Sequence, residues 1–384
     1  MSRLDKLPPY LFSAIDAAKR QARAQGVDLV DLGIGDPDLP TPDKLVALMV
    51  QSVANSATHQ YPAQRGDAAL RRAIASWLQQ RYAVEVDPDT QVLVLIGSKE
   101  GLGHLPLSCV EEGDNTLVPD LGYPVYGQAT LLAGGEPRSF ALRSERGFLP
   151  DPAELAGLLD ERSRLVFLNY PHNPTGAAAD AAFWNEILAV TRPSGATLVN
   201  DAAYLEVTLD GSRPVSLLQV ADAKRDRVIE LHSLSKMFNM TGWRIAFAVG
   251  HPDVVGDLAR VKESIDSGVF TAVQDVARHA LGDSFEELLA GVLAPYKERS
   301  RLINEALTAA GFEVFPSVAT FYVWVRVPGQ ESSLDFCNRA LSEIGLVITP
   351  GVGFGPGGEG WFRISLTADD ERIVEGARRL REWR

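Results

Sequence analysis

The chain has 384 residues, of which 46% are hydrophobic and 23% charged, and its formal net charge is −13. This composition is typical of a globular protein of about two to three domains, and it excludes extensive disorder. The acidic balance argues against nucleic acid or an anionic membrane as a partner. Because the chain has neither an apolar signal core at its start nor an apolar run of about 18 residues, we expect a cytoplasmic protein with no membrane partner.

Cysteine and histidine usage points away from metal and redox chemistry. Cys109 and Cys337 have no spacing typical of a metal or redox motif, so we expect small buried thiols in a reducing compartment. The six histidines are scattered along the chain. They form no ligand spacing, and we therefore predict no metal site.

The first two thirds of the chain alternate helical patterns with short β-rich runs. Leu70, Ile74, Trp77 and Leu78 recur at the spacing of one apolar helix face. Strands are predicted at 92–96, 116–118, 165–169, 197–200, 228–231 and 245–249, with helical stretches such as 181–190 between them. Strands that alternate with helices predict an α/β fold with a mostly parallel sheet covered on both faces.

After about residue 252 the pattern changes to an α+β layout. Helical patterns are predicted at 253–266, 284–310 and 333–344, and short strands at 312–314, 320–327, 347–349 and 362–366. We therefore expect a large domain over residues 41–275 and a smaller C-terminal domain over 276–384. Residues 1–40 are expected to form an N-terminal segment that joins the small domain and covers the substrate.

Polar residues follow several predicted strands, at the edge where open α/β sheets bind their ligands. They are Ser98, Tyr123, Asn173, Asp201 and Tyr204. Each has an ordinary structural explanation as a helix cap, a turn residue or a packed aromatic. Five such residues at the same ends of successive strands together favour a ligand site.

The segment 233–244 gives the most specific indication of a cofactor. Lys236 comes just after the predicted strand at 228–231, a place suited to forming a Schiff base with a cofactor aldehyde. Ser233, Ser235 and Arg244 are suited to hold a phosphate by charge-assisted hydrogen bonds. The pattern indicates a phosphorylated aldehyde cofactor.

A pyridine cofactor accounts for the residues at the strand ends as well. The Asp201 carboxylate would hold the proton on the pyridine nitrogen, which makes the ring an electron sink. Tyr204 would donate to the oxygen on the ring, Asn173 would contact that oxygen or a substrate carboxylate, and Tyr123 would stack on the ring. Lys236 would carry a proton from the substrate Cα, since burial and nearby cations should lower its pKa.

With these residues, the chain resembles the class I/II aminotransferases of pyridoxal-phosphate fold type I. The matching motifs are Tyr-Pro-Ala-Gln-Arg-Gly at 61–66, Gly-Ser-Lys-Glu-Gly at 97–101, Asp-Leu-Gly-Tyr-Pro-Val-Tyr at 120–126, Asn-Pro-Thr-Gly at 173–176, Asp-Ala-Ala-Tyr at 201–204, Ser-x-Ser-Lys-x7-Arg from 233, Phe-Gly at 354 and Arg-Ile-Ser at 363. The resemblance implies pyridoxal 5'-phosphate, a large sheet domain with a smaller α+β domain, and amino transfer between an amino acid and a 2-oxo acid.

The resemblance also implies roles for single residues. Lys236 is expected to be the Schiff-base lysine and Asp201 the partner of the pyridine nitrogen. Tyr61 looks like a phosphate ligand supplied by the neighbouring subunit, and Ser267 is expected to reach across in the same way, which implies a homodimer with shared sites. Arg363 looks like the fork that binds the substrate α-carboxylate.

Within this family the likeness is greatest to the LL-diaminopimelate aminotransferases, on the motifs at 7–12, 31–38, 96–101 and 232–244. It implies a substrate pocket and a diaminopimelate/2-oxoglutarate reaction of lysine biosynthesis; the pocket residues would be Tyr10, Gly35, Lys99, Tyr123, Asn173 and Arg363. Glu100 and Asp36 are candidates to meet the second ammonium of such a substrate. His172 departs from the family pattern, in which an asparagine often holds this place. Aspartate, alanine or aromatic aminotransferase and β-lyase activities stay open, because the shared motifs do not determine substrate choice.

Overall fold

The computed structural model describes residues 3–7, 19–20, 22–24 and 26–383. A seven-stranded sheet forms the centre of the first two thirds of the chain, in the order β2-β8-β7-β6-β5-β3-β4. Its strands are β2 (Val92–Leu95), β3 (Asn115–Pro119), β4 (Glu136–Phe140), β5 (Ser163–Leu168), β6 (Thr197–Asp201), β7 (Val228–Ser233) and β8 (Ala246–Gly250). β1 (Val30–Asp31) lies outside this sheet.

The sheet is mostly parallel, which confirms the predicted fold class. β4, β3, β5, β6 and β7 run parallel to their neighbours, and β8 alone runs antiparallel to both β7 and β2. The six strands predicted here are present. The edge strand β4 was missed, because its sequence Glu-Pro-Arg-Ser-Phe lacks an apolar run and contains a proline that edge strands tolerate.

Alternate residues of the strands enter two apolar cores, one on each face of the sheet. In β2, Val92 and Val94 belong to one core, whereas Leu93 and Leu95 belong to the other. This alternation follows from the period of two in a strand. Helices cover both faces; they are α1 (Asp43–Ala54), α2 (Ala68–Tyr82), α3 (Ser98–Cys109), α4 (Val125–Ala133), α5 (Pro152–Leu158), α6 (Ala181–Thr191), α7 (Leu234–Met237), α8 (Pro252–Ile265) and α9 (Thr271–Ala280).

The C-terminal part adds the helices α10 (Phe285–Ala309), α11 (Ser333–Ile344) and α12 (Asp370–Glu382) around short strands. The strands are β9 (Tyr322–Arg326), β10 (Leu346–Val347), β11 (Thr349–Pro350) and β12 (Trp361–Ser365). β12 pairs antiparallel with both β11 and β9. The strand predicted at 312–314 is reduced to one bridge, Val314 with Val325, because Pro316 follows and cannot donate to a ladder.

The N-terminal segment packs against this C-terminal part. β1 pairs in parallel with β10, Val30 opposite Leu346. The buried Arg299 of α10 donates to both carboxylate oxygens of Asp38, at 2.8 and 3.0 Å, and to Asp370 at the start of α12, at 2.7 Å. The chain just before the large sheet is therefore anchored by a fully formed guanidinium fork. No helix in the described ranges is long and apolar enough to cross a membrane.

The fork at Arg299 gives a stability prediction with a matched control. Arg299→Met removes the guanidinium that both carboxylates share, and because Asp38 and Asp370 keep access to water we expect the free energy of unfolding to fall by about 1.5–3 kcal/mol, the loss typical of hydrogen bonds to charged groups. Arg301 lies on the same helix, is 52% exposed and pairs with Glu298 and Glu305. We expect Arg301→Met to change the unfolding free energy by less than about 1 kcal/mol. Urea unfolding followed by circular dichroism measures both, and equal effects would contradict the anchoring role.

Candidate active site

A cavity of about 550 Å³ lies at the carboxyl-terminal edge of the large sheet. β2 runs in the same direction as β7, since β8 is antiparallel to both, so that the strands β2, β3, β5, β6 and β7 all end at this edge. The C-terminal part closes the cavity from the other side with residues from β9 and β12. The cavity is thus at the place where open α/β sheets bind ligands.

Nine of the predicted site residues line this one cavity. They are Gly35, Ser98, Lys99, Tyr123, Asn173, Asp201, Tyr204, Lys236 and Arg363. Ser233, Ser235, Arg244, Tyr61 and Ser267 are not among its lining residues. Tyr10 falls outside the described residues, so its predicted place in the pocket remains a prediction.

Lys236 lies in the short helix α7 that directly follows β7. The Ser233 hydroxyl caps this helix by accepting a hydrogen bond from the Ser235 amide at 3.3 Å. The Lys236 ammonium donates to the Gly35 carbonyl at 3.3 Å and stands 5.6 Å from the centre of the Phe321 ring. The pKa of Lys236 is lowered to about 8, chiefly by burial; Asp36 acts against this, and the nearby cations Arg363 and Arg244 act with it. The amine is therefore partly neutral at physiological pH, as a nucleophile or proton carrier requires.

Asp201 is the last residue of β6 and is 6% exposed. One carboxylate oxygen, Oδ2, accepts from the Tyr126 hydroxyl at 2.9 Å, while Oδ1 is buried and has no hydrogen-bond partner in the described part of the chain. Burial raises the pKa of Asp201 to about 6, although the bonds from Tyr126 and the Ala203 amide and the nearby His232 act in the opposite direction. A buried oxygen without a donor suits a protonated ligand nitrogen.

The turn between β2 and α3 forms an anion seat. Gly97 has φ +87°, and a Cβ there would collide with the guanidinium of Arg244, so glycine allows the two to approach closely. Arg244 donates to the Ile96 carbonyl at 3.4 Å and to the Thr241 carbonyl at 2.7 Å. The Glu100 amide in the first turn of α3 already donates to the Gly97 carbonyl at 3.1 Å, so the Ser98 and Lys99 amides are the helix donors that could join Arg244 in binding one anion.

The carboxylate of Glu100, in the first turn of α3, pairs with the ammonium of Lys262. The buried Lys262 ammonium donates to Glu100 at 3.3 Å and to both oxygens of Asp266, at 2.8 and 2.9 Å. Glu100 also accepts from the Ile96 amide at 2.8 Å and lies 2.8 Å from a ring nitrogen of His104. Glu100, His104 and Asp266 bring ligand atoms within 4.8 Å of one another, but the Lys262 ammonium bonds to both carboxylates where a cation would lie. The Glu100 carboxylate therefore already has partners within the protein, and because it does not line the cavity it does not face a substrate ammonium there.

Arg363 presents a guanidinium to the opposite side of the cavity. It is 4% exposed, and it donates to the Gly33 carbonyl at 2.9 Å and to the side-chain oxygen of Asn173 at 3.1 Å. The rings of Tyr322 and Phe354 lie 4.0 and 4.7 Å from its central carbon. Its Nε is buried and unpaired within the described residues. A buried cation that binds only neutral groups favours an anionic ligand.

His172 stabilises the neighbouring loop from outside the cavity. Its ring nitrogens lie 2.9 Å from the Thr175 hydroxyl and 3.1 Å from the Leu121 carbonyl. Burial lowers the pKa of His172 to about 4, so the ring is neutral at physiological pH. The residue that departs from the family pattern therefore joins the Asn173 loop to the segment before Tyr123.

Two tyrosines that contact predicted site residues, Tyr126 behind Asp201 and Tyr322 in the cavity wall, were missed in the sequence. Tyr126 belongs to a quoted motif, but its bond to Asp201 depends on α4 folding back on the sheet. Tyr322 starts β9 in the C-terminal part, and its hydroxyl lies 2.9 Å from that of Tyr204. No local pattern indicates that an apolar strand contributes one hydroxyl to a distant site.

Two predicted residues lie on the surface away from the cavity. Tyr61 is 89% exposed, and Ser267 is exposed in the loop after α8. A shallow groove next to this loop is lined by Ile96, Arg244, Gly268 and Phe270. The anion seat is therefore open toward the surface on the side of the Ser267 loop.

Comparison with known proteins assigns the family. The family model described as aminotransferase class I and II matches residues 27–380. The chain is 46% identical over 379 residues to LL-diaminopimelate aminotransferase from Moorella thermoacetica. The alignment covers 99% of this chain and 97% of that protein.

Solved structures agree with this assignment. Substrate-bound BacF from Bacillus subtilis has a TM-score of 0.90 and 34% identity, and the match covers 100% of this chain and 97% of that one. A single mutant of Thermus thermophilus aspartate aminotransferase has a TM-score of 0.92 and 26% identity, covering 99% and 98%. The chain belongs to the class I and II aminotransferases and is an enzyme that transfers an amino group with pyridoxal 5'-phosphate as cofactor.

Proposed function

We propose that this enzyme transfers an amino group between LL-diaminopimelate and 2-oxoglutarate, a reaction of lysine biosynthesis. The near full-length similarity to an LL-diaminopimelate aminotransferase supports the choice of substrate. The observation that carries it at the site is the charge of the cavity wall, where Lys99 and Asp36 line the same cavity as Arg363. A substrate with an amino acid group at each end needs one anion site and then a second pair of opposite charges.

The residues present fit the cofactor. The unpaired oxygen of Asp201 suits the pyridine nitrogen, and the Tyr204 hydroxyl and the Asn173 amide suit the oxygen on the ring. Tyr123 offers a ring to stack on. The phosphate would be held by the amides and hydroxyl at Ser98 together with three residues of the lysine segment, namely Ser233, Ser235 and Arg244. When bound, the cofactor supplies an electron sink that stabilises negative charge at the substrate Cα.

The chain's own groups orient the substrate and move the proton. Arg363 would bind the α-carboxylate through its planar fork and so fix the orientation of the Cα–H bond. Lys236 would then take that proton and return it, because a pKa of about 8 leaves the amine able to do both near neutral pH. The amine is directed by the Gly35 carbonyl, its hydrogen-bond acceptor at 3.3 Å.

We further propose a division into an N-terminal segment of residues 1–40, a large domain over 41–275 and a small domain over 276–384. The pairing of β1 with β10 and the Arg299–Asp38 fork support the attachment of the N-terminal segment to the small domain. In this division Gly35, with Asp36, forms the part of the segment that covers the substrate.

We also propose a homodimer in which Tyr61 and Ser267 complete the partner's site. Both residues lie outside the cavity of their own chain, and several apolar side chains within 15 residues of them in the sequence are exposed; these are Val46, Val50, Val53, Ile265 and Phe270. Exposed apolar side chains of this kind favour association with a second copy. Two free cysteines and the net charge of −13 support a cytoplasmic enzyme without a nucleic-acid partner.

The substrate is tested by a donor panel with 2-oxoglutarate as acceptor. We expect LL-diaminopimelate to exceed aspartate, alanine and phenylalanine in kcat/KM by at least about 100-fold, because the second charge pair of the cavity stays unpaired with the other donors. Glutamate formation is the assay, and Lys236→Ala is the inactive control. A higher kcat/KM for another donor would contradict the substrate, and pyruvate with ammonia in place of glutamate would indicate a β-lyase.

Asp201→Asn should stabilise the cofactor-free protein while weakening cofactor binding. A folded-state pKa of about 6, above the usual 3.8, means that the charged form costs roughly 3 kcal/mol of stability, a cost that grows from about pH 4 and is complete above about pH 6. The variant should therefore melt a few degrees above the parent at pH 8 and at the same temperature near pH 4.

Asp226→Asn is the control of opposite sign, because the Arg192 fork holds the pKa of Asp226 below its usual value. It should melt lower than the parent at pH 8, with a difference that shrinks in acid. Melting is followed by differential scanning fluorimetry. An Asp201→Asn protein no more stable than the parent at pH 8 would contradict the cost assigned to the buried carboxylate.

Subunit sharing is tested by mixing two inactive variants, Lys236→Ala and Tyr61→Ala. If Tyr61 serves the partner's site, a mixed dimer has one site with both residues intact. Random exchange of subunits should then restore about a quarter of the parent activity. A mixture that forms mixed dimers yet stays as inactive as its components would assign Tyr61 to its own chain.

A further inference from the structure

Tyr322 lies where three groups of the site meet. It is the first residue of β9, is 3% exposed and pairs with Ser365 of β12. Arg363 is two residues from Ser365 on the same strand, so that Tyr322 and Arg363 are diagonal neighbours on one face of the small sheet. The Tyr322 ring and hydroxyl contact different parts of the site.

The ring supports the guanidinium of Arg363. The centre of the ring is 4.0 Å from the guanidinium carbon, close enough for a cation–π contact in a desolvated place. The polar contacts of Arg363 in the described ranges are the Gly33 carbonyl, the Asn173 amide oxygen and the Tyr322 hydroxyl, and none of them carries a charge. The aromatic faces of Tyr322 and Phe354 therefore contribute much of what sets the plane of the fork.

The hydroxyl of Tyr322 has one proton and two possible acceptors for it, the Tyr204 hydroxyl and the Gly35 carbonyl. It lies 2.9 Å from the Tyr204 hydroxyl and 3.3 Å from the Gly35 carbonyl, which also accepts from Lys236 at 3.3 Å. If the Tyr322 hydroxyl donates its proton to the Gly35 carbonyl, it can only accept a hydrogen bond from the Tyr204 hydroxyl. The Tyr204 proton then points toward Tyr322 and away from the cavity. If the Tyr204 hydroxyl donates its proton into the cavity, the Tyr322 hydroxyl donates to the Tyr204 oxygen. The Gly35 carbonyl then accepts a hydrogen bond from Lys236 alone of these groups.

The backbone on both sides holds this hydroxyl in place. A Cβ on Gly35 would collide with the Tyr322 hydroxyl, so the two segments touch directly. On the other side Thr320 has φ +72°, a strained value for a β-branched residue, and its hydroxyl accepts from the Tyr322 amide at 3.2 Å. Such a fixed position suits a group whose role is orientation.

We propose that Tyr322 is a positioning residue with two separable functions. Its ring sets the plane of the Arg363 fork, and its hydroxyl directs the Tyr204 proton into the cavity, toward the oxygen on the cofactor ring. The proposal rests on the roles proposed above for Tyr204 and Arg363, and it holds for whichever amino donor the enzyme uses.

Tyr322→Phe tests the hydroxyl alone. Without its donor, Tyr204 binds a negative oxygen on the cofactor less well, so the pH midpoint of the cofactor's visible absorbance should rise by about half to one unit. We expect kcat to fall about 3- to 10-fold, by loss of one hydrogen bond, while KM for the amino donor stays within about twofold. An unchanged midpoint together with an unchanged kcat would overturn the function assigned to the hydroxyl.

Tyr322→Leu tests the ring, because it removes the aromatic face as well. KM should rise about tenfold above that of Tyr322→Phe, the loss expected for a desolvated cation–π contact. Equal KM values in the two variants would overturn the function assigned to the ring.

Tyr170→Phe is the matched control. Tyr170 is a buried tyrosine whose hydroxyl donates to the Phe148 carbonyl at 2.7 Å, away from the cavity. It should move neither the absorbance midpoint nor KM. A midpoint shift in Tyr170→Phe as large as that in Tyr322→Phe would overturn the proposal, since any buried hydroxyl would then have the same effect. All measurements use the donor that the parent enzyme turns over best, so a failure of LL-diaminopimelate as substrate leaves this test intact.

Discussion

The site depends on the burial of two groups of opposite charge, Lys236 and Asp201, at one edge of the large sheet. Burial lowers the pKa of the lysine to about 8 and raises that of the carboxylic acid to about 6. Neither group pairs with the other: Lys236 bonds to the Gly35 carbonyl, and Asp201 has one oxygen without a donor among the described residues. The fold thus keeps the Lys236 amine and the Asp201 carboxylate apart, and each lacks a charged partner. A cofactor with an aldehyde for the amine and a basic ring nitrogen for the carboxylate suits both.

The two sides of the cavity have different origins in the fold. The sheet edge supplies Lys236 and Asp201, since parallel strands end together and their last residues are buried by the layers above and below. The small sheet supplies Arg363 and Tyr322 from adjacent strands. The segment after β1 lies between the two sides, where Gly33 accepts from Arg363 and Gly35 accepts from Lys236. The backbone from Gly33 to Gly35 therefore connects Arg363, proposed to bind the substrate carboxylate, with Lys236, proposed to move the proton.

The sequence was sufficient for the parts of the fold and site that local patterns encode. Buried strands such as β6 and β7 are short apolar runs, and the lysine segment follows one of them directly, so both were predicted within one or two residues. β4 was missed because an edge strand can be polar and contain proline. Tyr126 and Tyr322 were missed because their contacts with Asp201 and Tyr204 arise from packing of distant segments.

We propose that the Lys236 amine forms the covalent link to the cofactor aldehyde. Reduction of the holoenzyme with borohydride, followed by proteolysis and mass spectrometry, tests it most directly, because reduction makes the link permanent. We expect one pyridoxyl group per chain, on the peptide that contains Lys236, and loss of the visible absorbance of the enzyme. A pyridoxyl group on another lysine, or none on any peptide of cofactor-saturated enzyme, would contradict it.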